Sequence, residues 1–124
     1  MKQDFYQIYH NSKCSKSREA LEIIKSKTEN YKIIKYLEIG IDKNDLDLIL
    51  NSKDISKDDL IRKNEVAFKK LNINKIELNE NQIKKIIIEH PILLQRPLIT
   101  KYTHGMLVKS VIGRPPEVLN TLFD

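Results

Sequence analysis

One cysteine stands among the 124 residues. That solitude excludes an intramolecular disulfide and any cysteine-rich zinc site. Glycine is scarce at three, while isoleucine, lysine and asparagine are plentiful, a bias of composition more than of function. Aromatic side chains amount to only 6% and are not interleaved with basic residues, so the stacking platform of a single-strand nucleic-acid binder is missing. No apolar run approaches the ~20 residues of a membrane-spanning helix. The polar start, Met1-Lys2-Gln3-Asp4, lacks the apolar segment of a signal peptide. These absences predict a soluble protein of a reducing, cytoplasmic compartment, with neither membrane nor nucleic acid as its partner.

What is present fits one domain, 1–124, long enough to bury a core without staples. The formal net charge of +5 favours anionic ligands, although the lysines are dispersed as on solvated helix faces.

Phe5–Tyr9 is predicted as a strand, Ser15 to about Lys27 or Thr28 as a helix with Ala20, Leu21, Ile23 and Ile24 at helical spacing, and Tyr31–Leu37 as a second strand. That is a right-handed βαβ unit with parallel strands. Residues from about 42 to 90 read as a block of helices. Asp42 caps one carrying Leu46, Ile49 and Leu50, and Ser56 caps a short one with Leu60 and Ile61. Val66, Phe68 and Leu71 mark a third. Asn79 with Gln82 forms a capping box for the last, which carries Ile83, Ile86 and Ile87 and stops near Pro91. Two strands follow, Leu98–Tyr102 and Met106–Ile112, with Thr103-His104-Gly105 as the turn. Pro115 or Pro116 opens a final helix with Val118, Leu119 and Leu122. The fold class is α/β, with a helical insertion between an N-terminal βαβ unit and a C-terminal ββα unit.

Cys14 falls where the first strand runs into the first helix. A helix N-terminus presents unpaired N–H groups and partial positive charge, and both favour the nucleophilic thiolate. Lys13, Lys16 and Arg18 add charge nearby. His10 and Cys14 are too few ligands for a metal site. His90 and His104 read as capping, packing or turn residues, and Asp58-Asp59 as helix N-terminal charges.

Four segments in order, His10-Asn11-x-x-Cys14-Ser15-Lys16-Ser17-Arg18, Leu60-Ile61-Arg62-Lys63-Asn64, His90-Pro91-Ile92-Leu93-Leu94-Gln95-Arg96-Pro97 and Gly113-Arg114-Pro115-Pro116-Glu117, resemble the glutaredoxin-dependent arsenate reductases of the arsenate reductase and Spx-type superfamily. The resemblance spans nearly the whole chain and implies a thioredoxin-like fold. It implies that Cys14 attacks arsenate, that Arg62, Arg96 and Arg114 hold the oxyanion, and that His10 helps depress the thiol pKa. It also implies that Ser17 hydrogen-bonds the thiolate, that Asn11 belongs to the loop beside it, and that Pro97 is the cis proline facing the thiol. No cofactor is bound in such a scheme; glutathione and glutaredoxin act as external reductants. The residue types suit the task, because a multiply charged oxyanion repels a thiolate until permanent, forked cations compensate it. The stretch between Arg96 and Arg114 is longer than usual for the family, and the reach of Arg114 toward Cys14 depends on where that length goes.

A second reading is an Spx-type regulator that binds RNA polymerase, which the stretch Arg62–Asn74 also resembles. Two features weigh against it. Ser17 occupies the second position of the Cys-x-x-Cys pair typical of those switches, and Gly113-Arg114-Pro115-Pro116-Glu117 is the reductase-type ending.

Overall fold

The computed structural model describes residues 4–73 and 77–123; the expectations on Met1-Lys2-Gln3 and on the end of the Spx-like stretch at Asn74 lie outside them. Strand β1 is Asp4–Tyr9, helix α1 Ser15–Lys27 and strand β2 Tyr31–Ile34. Then come α2 (Tyr36–Ile39), α3 (Lys43–Ser52), α4 (Lys57–Leu60), α5 (Val66–Lys69) and α6 (Glu80–Glu89). A 3-10 turn at Pro91–Leu93 leads into β3 (Leu98–Thr103) and β4 (Met106–Ile112), and a 3-10 helix over Pro116–Phe123 follows.

The sheet order is β2-β1-β3-β4. β1 and β2 are parallel, and β3 is antiparallel to both β1 and β4. Alternation along β1 divides the core. Tyr6 and Ile8 join Ala20 and Ile24 of α1, Ile99 of β3, and Leu119 and Leu122 of the C-terminal 3-10 helix. Tyr9 faces the other side, with Leu46 and Ile49 of α3, Ile83 and Ile87 of α6, and Leu98. The helical insertion thus covers one face of the sheet, and α1 with the C-terminal 3-10 helix covers the other. This is the thioredoxin-like α/β arrangement.

The caps are where side-chain chemistry places them. Asp42 accepts from the N–H of Asn44 and Asp45 at 2.8 and 3.1 Å. Ser56 accepts from that of Asp59 at 3.2 Å. Asn79 and Gln82 form the reciprocal capping box, both bonds at 2.8 Å. The β3–β4 turn is two residues, His104 and Gly105, both at positive φ, as a tight hairpin demands.

Three elements differ from expectation. β2 ends at Ile34, three residues early, because its partner β1 ends at Tyr9 in register with Ile34; Tyr36 to Ile39 coil into α2 instead. Ile61 is not helical, being held in a β-bridge to Leu94. The final helix is 3-10 over its whole length. The Arg96-Pro97 bond is cis, and the Arg114-Pro115 bond is cis as well.

Candidate active site

Cys14 is the N-cap residue of α1. The loop from Tyr9 is ordered by its own backbone and by Asn11. His10 N–H donates to the Ile34 carbonyl at 2.9 Å, and Cys14 N–H to the Asn11 carbonyl at 3.0 Å. The Asn11 side chain accepts from Lys13 N–H at 3.0 Å. Ser17, fully buried one turn into the helix, ties the loop down. Its hydroxyl accepts from Asn11 N–H at 3.0 Å and lies 2.8 Å from His10 Nδ1.

The thiol is set by opposing effects. Burial pushes it up. The backbone N–H of Ser17, the Arg96 guanidinium and the N–H of Lys16 outweigh that, and the Cys14 thiol lies below its ordinary value. The nearby basic residues on α1 are engaged elsewhere: Arg18 donates to the Ser12 carbonyl at 2.8 Å, and Lys16 faces Glu19 at 3.9 Å.

Arg96 comes from the loop that precedes β3, and Arg62 from the residue after the Ile61–Leu94 bridge. That bridge is clamped on both sides, by Arg62 N–H to the Leu93 carbonyl and by Gln95 N–H to the Leu60 carbonyl, each 2.8 Å. Two segments more than thirty residues apart are thereby locked together, which fixes the two arginines relative to each other. Arg62 pairs with Glu65 at 3.0 Å. Nε and Nη1 of Arg96 are buried without a hydrogen-bond partner among the described residues. Arg114 is exposed; its Nε donates to the Arg96 carbonyl at 2.6 Å. Arg114 and Arg62 line one cleft together with Gln95, Asp58, Lys63 and Glu65.

The ArsC family profile matches residues 9–122. The chain belongs to the ArsC family. It is 35% identical over 115 residues to an arsenate reductase of Haemophilus influenzae, covering 90% of this chain and 93% of that protein. It is 36% identical over 111 residues to the uncharacterized protein YfgD of Escherichia coli strain K12, covering 89% of each. The structure of an arsenate reductase from Vibrio cholerae superposes with a TM-score of 0.79 at 30% identity, covering 94% of this chain and 96% of that one.

In this ArsC chain the candidate residues fall into two groups. Cys14, Ser17, His10 and Asn11 form the helix-capping loop, and Arg96 reaches the thiol from across it. Arg62 and Arg114 line a cleft whose lining includes neither Cys14 nor Arg96. The stretch between Arg96 and Arg114 forms the β3–β4 hairpin, so Arg114 returns beside the Arg96 backbone. It is the backbone N–H of Ser17 that serves Cys14, while its hydroxyl serves His10 and Asn11. Burial, then the charges of Lys25, Lys35 and Arg18, lower the His10 pKa, so the imidazole is neutral near pH 7, with Nδ1 on the Ser17 hydroxyl. Tyr36, read from the sequence as a strand residue, is 0% exposed. Its phenol feels the charges of Arg96, Arg62 and Cys14. A large aromatic with a polar tip, opening the short helix just after a strand, was the available signal. Among the described residues no group of metal-ligating side chains occurs, and no helix is long and apolar enough to cross a membrane.

Proposed function

We propose that this chain reduces arsenate to arsenite through a covalent Cys14–arsenic adduct, with glutathione and glutaredoxin as external reductants, in the cytoplasm. The observation that carries this reading is the lowered Cys14 thiol at the N-terminus of α1 with the Arg96 guanidinium against it. The Cys14 sulfur bonds to arsenic(V) and a hydroxide departs as water after taking a proton. Arg96, Arg62 and Arg114 compensate the charge of the oxyanion as the thiolate approaches. A glutathione thiol then attacks the adduct. Its sulfur bonds to the Cys14 sulfur as the sulfur–arsenic bond breaks, the bonding pair stays on arsenic, which leaves as arsenite, and glutaredoxin reduces the Cys14–glutathione disulfide. One cysteine in the chain suits a scheme whose second thiol comes from outside.

The test is arsenate-dependent NADPH consumption coupled through glutathione, glutaredoxin and glutathione reductase, with Cys14→Ser as control. Turnover that vanishes in the variant is the expected result. No turnover, in a mixture where a known arsenate reductase works, overturns the assignment of substrate or reductant. Replacing glutathione and glutaredoxin with thioredoxin and its reductase separates those two.

A further inference from the structure

The floor of the Cys14 site holds more hydrogen-bond donors than acceptors. Nε and Nη1 of Arg96 and the phenol oxygen of Tyr36 are buried without partners among the described residues. Arg62 Nη1, ion-paired to Glu65 at 3.0 Å, also lacks an aligned hydrogen bond. Buried polar groups are rarely left unpaired, and each one costs the fold its desolvation. Donors from three separate segments with a common deficit mark the place of a shared acceptor. Burial dominates the Tyr36 phenol and raises its pKa above the usual value, although the charge of Arg96, the approach of its guanidinium N–H to the phenol oxygen and the charge of Arg62 act to lower it. The phenol therefore keeps its proton at neutral pH and is a donor.

We propose that Tyr36 is a binding residue of this site, its phenol O–H donating a hydrogen bond to an oxygen of the tetrahedral oxyanion that Arg96 and Arg62 hold. A neutral donor complements the arginines. It adds directionality without adding charge, and it sits on the first residue of α2, carried by the β2–α2 junction rather than by the cysteine loop. Anion recognition thus draws on the junction where β2 stops short, which gives that early stop a use.

This inference rests on the oxyanion reading of the site. Its test therefore measures binding without turnover, as protection of Cys14 from iodoacetamide by titrated arsenate. Tyr36→Phe removes only the hydroxyl. We expect arsenate to protect the variant about tenfold more weakly, the scale of one hydrogen bond to a charged acceptor. The pH profile of alkylation without arsenate stays in place. Equal protection of variant and wild type overturns the inference alone. A displaced alkylation profile would assign the phenol to the thiol instead. Absence of protection in the wild type overturns the oxyanion reading and this inference with it.

Discussion

The Ser17 hydroxyl lies 2.8 Å from His10 Nδ1 and takes the Asn11 N–H at 3.0 Å, all three residues being buried. One oxygen thus closes two polar groups of the loop that presents Cys14. Ser17→Ala leaves both without a partner, and the cost of such buried groups is about 1–3 kcal/mol. The backbone N–H of residue 17 survives the change and still faces the thiol. The expected outcome is a clear loss of stability in urea unfolding, with the alkylation pH profile of Cys14 moved little. A large upward move of that profile would show that the hydroxyl itself serves the sulfur.

His10 gives the protein a pH dependence with a definite sign. Its folded pKa is lowered, first by burial and then by Lys25, Lys35 and Arg18, so the fold favours the neutral ring. The stabilisation is complete above the unfolded value of ~6.5 and is lost as pH falls through the lower folded value. His10→Gln removes this component. Stability against pH should fall less steeply below ~6.5 in the variant than in the wild type. Parallel curves would mean that the ring titrates as in water.

Arg96 is the side-chain charge that holds the Cys14 thiol down. The wild-type alkylation rate should rise to its plateau below the ~8.5 of a free cysteine. Arg96→Gln keeps a planar polar group but removes the charge, and its profile should shift to higher pH. The remaining depression reports the N–H groups of Ser17 and Lys16 at the N-terminus of α1. An unchanged profile would assign the whole effect to the helix end.

These residues were legible in the sequence to different degrees. Caps at Asp42, Ser56 and Asn79 are local: each side chain and the backbone N–H that donates to it lie within three residues, so spacing suffices to read them. Cys14 at a strand-to-helix junction is local too. The meeting of Arg62 and Arg96 is not, because it depends on the Ile61–Leu94 bridge between segments whose separate patterns look helical or irregular. Only the ordered family motifs pointed to it. Tyr36 escaped notice for a related reason. Its β-forming composition continues that of Tyr31–Ile34, but a strand cannot outlast its neighbour, and β1 stops at Tyr9. The division of labour at Ser17, backbone to Cys14 and hydroxyl to His10, is a matter of atoms that residue patterns do not resolve.

On the proposed oxyanion reading, Glu65 competes with the anion for Arg62. The pair is 3.0 Å apart with both side chains partly accessible, so its strength is that of a solvent-screened ion pair. Glu65→Gln should free Arg62 and tighten arsenate binding, read as protection of Cys14 from alkylation, by about threefold on that scale. Removing any carboxylate near the cleft also makes its potential more positive, so a control must separate the two effects. Asp58 provides it, because it lines the same cleft but pairs with Lys63 at 2.6 Å and Lys57 at 3.2 Å. Asp58→Asn changes the charge by the same amount and leaves the Arg62–Glu65 pair intact. A larger gain for Glu65→Gln than for Asp58→Asn identifies release of Arg62. Equal gains would reduce the effect to potential alone. Weaker binding in Glu65→Gln would mean that Glu65 aims Arg62 at the anion rather than withholding it.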